Sequence, residues 1–490
     1  MTRKGQGQRS KNTIITKNEK ISKKDKEIND YVDKLLRIST TPQQTNPLKA
    51  LEAQREINSL TERINKLQAN RSKHAIGKRT GAATIENFTK WVIENGAEIK
   101  GCEIAQFDGF DLGLRVTTEI PFSSLVIAVP RNLMMSLETA RKTDLKNIME
   151  TDQILSNMPN VALSIFLLYE KFKTDSFWMP YINILPLNYS TVLYFTPEEL
   201  EELTGSPTLE IALRQIKSIA RQYAYFYKLF NTSEDPISRL MKDKFTYWEY
   251  CWAVSTVMTR QNTIPSEDGE NMINALIPLW DMCNHTNGTI STDYNPELQR
   301  SECLALKDFK PGEQFFIFYG ARTNADLFIH NGFIYDENTH DGIWIRLGIS
   351  KQDPLQEKRT DLLNRLGIAT SGDFFIKKGS DPVDGTLLAF LRIFNMDEEQ
   401  LLHWLESDRS DDLRYLECAL DTTLEKKSWT FLQARLKLLL GIYKTTLEED
   451  LELLQDKELG ANKVLGIRMR AIEKRILRGA IEYIDQCIRQ

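Results

Sequence analysis

The chain has 490 residues, enough for two or three domains that each bury a core. Hydrophobic residues make up 41% and charged residues 27%, with a formal net charge of -5, which describes an ordinary globular protein and excludes the basic excess of a nucleic-acid binder. No apolar run approaches the ~18 residues of a membrane span, and the polar, basic beginning lacks the apolar stretch of a secretory signal, so no membrane role and a cytoplasmic location are expected.

Six cysteines (Cys102, Cys251, Cys283, Cys303, Cys418 and Cys487) are scattered without a C-x-x-C pair. Neither a zinc ribbon nor a disulfide framework is expected, and no metal is called for. Residues 1–47 are rich in Lys, Asn, Gln, Ser and Thr and are expected to form a disordered basic tail. Its lysines (Lys17, Lys20, Lys23, Lys24 and Lys26) read first as a solvated surface, with nuclear import or RNA contact as the second reading.

Residues 48–93 are expected to hold two N-terminal helices. Ile57, Leu60, Ile64 and Leu67 recur at helical steps in the first, and a second runs from 85 to 95 and stops at Gly96. Residues 94–340 form the next unit. Short strands are expected at 104–106, 113–116 and 125–129, separated by turns such as those at Pro121 and Pro130. Between about 137 and 257 the pattern turns helical, with apolar spacing at 161–171, 211–230 and 247–257. The aromatic run Tyr223-Ala224-Tyr225-Phe226-Tyr227 reads as core before it reads as a peptide groove. Beyond residue 341 long amphipathic helices dominate; Leu387, Phe390, Leu391 and Phe394 sit at i, i+3, i+4 and i+7.

The stretch from 274 to 333 carries the unusual chemistry. Trp280, Asp281, Cys283 and His285 fall within six positions, ahead of the turn dipeptide Asn287-Gly288. A second turn, Lys310-Pro311-Gly312-Glu313, precedes an aromatic strand over 314–319 that ends on Tyr319. Taken alone, Asp281-x-Cys283-x-His285 is a poor metal cluster, because no second ligand pair lies nearby. A Cys-His nucleophile is equally unsupported at that spacing. Phosphate-loop and dinucleotide glycine patterns are missing.

Asn284-His285 followed by Phe318-Tyr319-Gly320 resembles the paired signature of SET-domain methyltransferases, in which one segment passes beneath the other like a knot. The wider wording, Met258-Thr259-Arg260-Gln261-Asn262 and the block from Ile277 to Gly288, resembles the actin-histidine branch of that family. The helical insertion and helical end resemble its plant-type, Rubisco-methyltransferase-like class, and the likeness runs from about Gly77 to the C-terminal helices. It implies an α+β fold: a small-strand SET fold with a pseudoknot and a helical insertion, followed by an all-helical Rubisco-substrate-binding-like domain over 341–490.

The resemblance also implies chemistry. S-adenosyl-L-methionine is the expected cofactor, and actin the expected protein partner of a monomeric enzyme. Cofactor contacts would come from Arg79 in Gly77-Lys78-Arg79, from the Phe110-Asp111-Leu112 turn, from Arg260, and from Asp281, Met282, Cys283, Asn284 and His285. Asn331-Gly332-Phe333 would cover the purine. In Phe110-Asp111-Leu112-Gly113 the first glycine of the family's G-x-G is replaced by Asp111, where a side chain resists backbone angles that glycine allows. Gln261, Asn262, Trp280 and Tyr319 would meet the substrate. Asn262 would select the imidazole tautomer and Tyr319 would end at the methyl channel, so these two are the expected catalytic residues. The alternatives are a lysine acceptor in the same site, or a non-catalytic protein-binding module, for which Asp111 speaks.

Overall fold

A computed structural model describes residues 23–42, 44, 46–71, 79–417 and 419–489. Gly77, Lys78, Cys418, Lys17 and Lys20 lie outside them. Among the described residues no helix is long and apolar enough to cross a membrane.

The N-terminal expectation needs a correction. Lys23–Thr40 is an 18-residue helix, not part of a disordered tail. Ile28, Val32 and Leu35 follow one another at helical steps and are each fully buried, a burial that contributes about 1.5–3 kcal/mol per side chain. They close a layer against Pro47–Gln68 and Pro207–Thr232. Asn46 caps Pro47–Gln68, accepting from the backbone of Leu48 and Lys49. The polar composition of the first 22 residues had masked a regular apolar stripe just beyond them.

Two four-stranded sheets build the centre. One runs in the order Glu98–Ile99, Leu125–Pro130, Arg300–Leu304, Thr292–Asn295; the other runs Cys102–Phe107, Asp111–Val116, Gln314–Ile317, Asn284–His285. In the second sheet Phe316 pairs with Asn284 and Ile317 with His285, in parallel. Both signature segments are thus neighbours on one sheet edge. A third sheet joins Met135–Ser136, Met272–Leu276 and Gln261–Pro265.

The insertion runs from Leu137–Arg141 to Tyr247–Arg260 and is helical. Pro159–Phe172 is apolar almost all round and is buried accordingly. Its Lys171 pairs with buried Glu249 at 2.7 Å and lies 3.7 Å above the Trp252 ring. Tyr223, Phe226 and Tyr227 are buried, so the aromatic run is core.

The C-terminal region is helical with one addition that its helical periodicity concealed. Gly342–Gly348 and Ser371–Lys377 form an antiparallel pair whose Ile343, Ile345, Leu347, Phe374 and Ile376 are buried. Nor does this region pack alone. Its core takes in Leu51 from the N-terminal helices, Phe195, Leu200 and Leu213 from the insertion, and Phe328.

Candidate active site

Leu279 is buried with φ +72 and ψ -49, the strained γ-turn region that a bulky residue adopts rarely. The turn swings the short 3₁₀ helix Trp280–Met282 inward, so Asp281 lies on a helical turn rather than on a strand. Asn284–His285 then enters the sheet beside Phe316 and Ile317. The neighbouring strand stops at Ile317, two residues earlier than its sequence suggests. Tyr319 leaves the ladder because its backbone N–H donates to Nδ1 of His285 at 3.2 Å. Its phenol donates to the Cys283 carbonyl at 2.7 Å.

A cavity of about 660 Å³ opens in front of Tyr319. Arg260, Gln261, Asn262, Trp280, Asp281, Cys283, Tyr319 and Asn331 all line it. Every expected substrate residue is therefore gathered there. Asn262 donates its amide nitrogen to the Arg260 carbonyl at 3.4 Å, which leaves its oxygen as an acceptor. Gln261 accepts from Asn274 at 2.7 Å. Trp280 is almost fully buried in the wall.

The other expected cofactor residues lie off this cavity. Asn284 donates to Leu112 O at 3.1 Å and to Gln314 Oε1 at 2.8 Å, and a Cβ at Gly113 would fall 2.9 Å from Asn284 Nδ2 and from Gln314 Oε1. His285 packs against Phe318, Tyr319, Phe333 and Tyr335, with ring centroids 5.1 to 6.2 Å apart. Burial, helped by Arg322 and His340, lowers its pKa to about 4, so it is neutral. With Nδ1 accepting, Nε2 carries the hydrogen. Phe110 stands 5.7 Å from Phe316 and is half-exposed. Met282 is buried in the core. Asn331 and Phe333 separate: Asn331 accepts from Arg322 at 3.1 Å on the cavity side, whereas Phe333 stays with His285. Gly332 between them has φ +75 and no room for a Cβ, which would meet the Ser190 carbonyl carbon at 2.8 Å. That glycine turns the chain at this point.

A buried polar cluster joins the two sides. Arg260 donates to the Asp281 carbonyl at 2.6 Å and pairs with its carboxylate at 3.2 Å, and Tyr181 donates to the same carboxylate at 2.5 Å. Burial opposes the charge on Arg260, but Asp281 together with Tyr189, Tyr181 and Tyr319 outweighs it, and the pKa lies above the ordinary value. Arg79 donates to the Ile184 carbonyl at 2.7 Å and ion-pairs with Asp111. Burial and the neighbouring Arg260 pull its pKa down to about 10. Two atoms of this cluster, Arg260 Nε and Asp281 Oδ1, are buried without a partner, an arrangement that costs free energy unless a ligand completes it. Asp111 itself has φ +62. The backbone conformation that a glycine would supply is therefore kept by an aspartate, at a cost of roughly 1–2 kcal/mol.

Sequence reasoning missed part of the lining: Gln215, Ser218 and Gln222 from the insertion helix, and Arg322 and His330. Gln222 did carry a signal, being a polar residue inside a buried apolar stripe. Tyr181 and Tyr189, which surround Arg260, carried none.

A family model described as Rubisco LSMT substrate-binding matches residues 350–477. The chain is 44% identical over 461 residues to actin-histidine N-methyltransferases of Gallus gallus and Homo sapiens, spanning 93% of this chain and 77% of theirs; the Mus musculus relative stands at 43%. Two solved structures share the fold. The SET domain of LSMT bound to lysine and AdoHcy superposes with TM-score 0.68 at 23% identity, over 83% of this chain and 92% of that one. Rubisco LSMT bound to AdoMet gives 0.64 at 24% over the same shares. The chain thus carries a SET fold and belongs to the actin-histidine N-methyltransferase family.

Proposed function

We propose that this chain transfers a methyl group from S-adenosyl-L-methionine to the imidazole nitrogen of an actin histidine remote from the backbone. The observation that carries this reading is the place of Tyr319. It lines the cavity that gathers the expected substrate residues and bonds through its backbone to His285, an expected cofactor residue off that cavity, so it stands between the two.

The residues present fit the cofactor. Arg260 Nε and Asp281 Oδ1 await partners, Gly113 leaves room for the Asn284 side chain beside it, and neutral His285 offers an N–H to a purine acceptor. Bound there, S-adenosylmethionine supplies an electrophilic methyl on a sulfonium. Asn284 and His285 would hold its nucleoside and Arg79 and Arg260 its carboxylate. Asp111 no longer argues for a non-catalytic module, because the turn keeps a glycine-like conformation.

The protein's task is positioning in a dry channel, which can supply most of the barrier reduction. A neutral imidazole already has a lone pair near pH 7, given its ordinary pKa of ~6.5. It must be the remote nitrogen that is unprotonated. The Asn262 carboxamide oxygen would accept the N–H of the near nitrogen and select that tautomer, while Trp280 narrows the channel to a flat ring. The buried Tyr319 phenol, its pKa raised chiefly by burial, stays protonated and keeps the Cys283 carbonyl in the channel wall.

Purified actin incubated with methyl-labelled S-adenosylmethionine tests the reading. Label should enter actin with the unaltered chain and fall sharply with Tyr319→Phe. Cofactor binding without any transfer to actin would overturn it.

A further inference from the structure

We propose that Asp111 sets the affinity of this chain for its cofactor, acting as a resident counter-ion on Arg79 that the amino-acid carboxylate of the cofactor must displace. The inference rests on the S-adenosylmethionine reading above and concerns how this chain's own residues meet that group.

Two guanidiniums, Arg79 and Arg260, share one buried cluster. The Arg79 side chain is 10% exposed and that of Arg260 13%. A buried cation needs an anion beside it. Arg260 has Asp281, whose side chain is 2% exposed and which Tyr181 also holds. Arg79 has Asp111 for its ion pair, with the Ile184 carbonyl on Nε. The two anions differ in kind: the Asp111 side chain is 47% exposed, so water can take it over at little cost, whereas Asp281 is locked in place.

Asp111 also sits at the foot of the hairpin between Cys102–Phe107 and Asp111–Val116, paired with Phe107 and at φ +62. Glycine would meet that backbone demand without strain. What the aspartate adds is its charge, and the charge goes to Arg79. A ligand carboxylate arriving at the two guanidiniums therefore competes with an anion already in place. An exposed partner holds weakly, so the exchange is allowed, but it lowers the observed affinity.

Isothermal titration of the full chain with S-adenosylhomocysteine, which carries the same amino-acid group, measures this directly. Asp111→Asn removes the charge and keeps a side chain that tolerates left-handed angles; Asp111→Gly removes both charge and strain. Both should bind about three- to fivefold more tightly than the unaltered chain, the range open to an exposed ion pair. Decarboxylated S-adenosylmethionine, which has the ammonium but no carboxylate, should gain nothing from either change. Unchanged or weaker S-adenosylhomocysteine binding in Asp111→Asn would overturn the inference, weaker binding meaning that Asp111 instead receives the ammonium. An equal gain for both ligands would also overturn it. No binding to the unaltered chain would overturn the cofactor reading itself, and this inference with it.

Discussion

The hydroxyl of Tyr319 and the carbonyl of Cys283 are 2.7 Å apart, hydrogen-bonded across 36 residues of chain. That bond ties the end of one signature segment to the start of the other, just beyond their parallel pairing. It also turns a backbone carbonyl into part of the channel wall.

Removing the hydroxyl in Tyr319→Phe should therefore reduce the rate of methyl transfer far more than stability. A loss of roughly 10²–10³ in kcat is expected for a preorganised polar group at the reacting centre, against about 1 kcal/mol of folding free energy for one hydrogen bond. Single-turnover rates and urea midpoints on the same preparation give both numbers.

Asn262→Leu separates tautomer selection from cofactor binding. Histidine methylation should fall by up to roughly 10⁴, the scale seen when a catalytic imidazole takes the wrong tautomer, while S-adenosylhomocysteine affinity by calorimetry stays near that of the unaltered chain. Equal loss of both would remove Asn262 from its assigned role.

Gly113→Ala places a methyl 2.9 Å from Asn284 Nδ2 and Gln314 Oε1. Asn284 must then leave the Leu112 carbonyl or the Gln314 amide. Weaker S-adenosylhomocysteine binding is expected, with a smaller change in the melting midpoint, because the colliding atoms are side-chain ends that can shift. A lowered midpoint at unchanged affinity would place the damage in the sheet instead.

Two buried groups give stability opposite slopes with pH. His285 titrates at about 4 in the fold against 6.5 unfolded. Between those values the unfolded chain binds the extra proton, so stability falls as pH drops from 6.5 to 4. Glu473 accepts from Ser206, Thr208 and Tyr443 at 2.8, 2.8 and 2.9 Å. Burial raises its pKa from 4.5 to about 7. There the folded chain holds the proton, and the contribution present below 4.5 is lost as pH rises through 7. Glu473→Gln should accordingly raise the melting midpoint at mildly alkaline pH and leave it nearly unchanged near pH 4.5. The same midpoint shift at both pH values would mean that the carboxyl does not titrate in this range.

Much of the site was legible in two short blocks, because rare residue types and turn signals cluster only where a fold needs them. The family resemblance named Asn262, Trp280 and Tyr319 as expected substrate residues, and the three line one cavity. What stayed hidden was long-range. Tyr181 reaches Asp281 across 100 residues, and no local pattern marks such a contact. Lys23–Thr40 was lost for a different reason: its apolar stripe is too thin to outweigh a polar average. The strand pair at 342–348 and 371–377 was read through the helices around it, although Ile343, Ile345 and Leu347 alternate as a strand should. Asp111 was seen as a missing glycine, but the sequence alone could not tell that the backbone there is still left-handed.

Tandem mass spectrometry of actin after incubation with this chain and S-adenosylmethionine tests the central claim most directly, because it localises the added methyl to one side chain. A single methyl on a histidine imidazole, lost with Asn262→Leu, is the predicted result. A methyl on a lysine amine, or on actin equally with and without Asn262, would contradict the account.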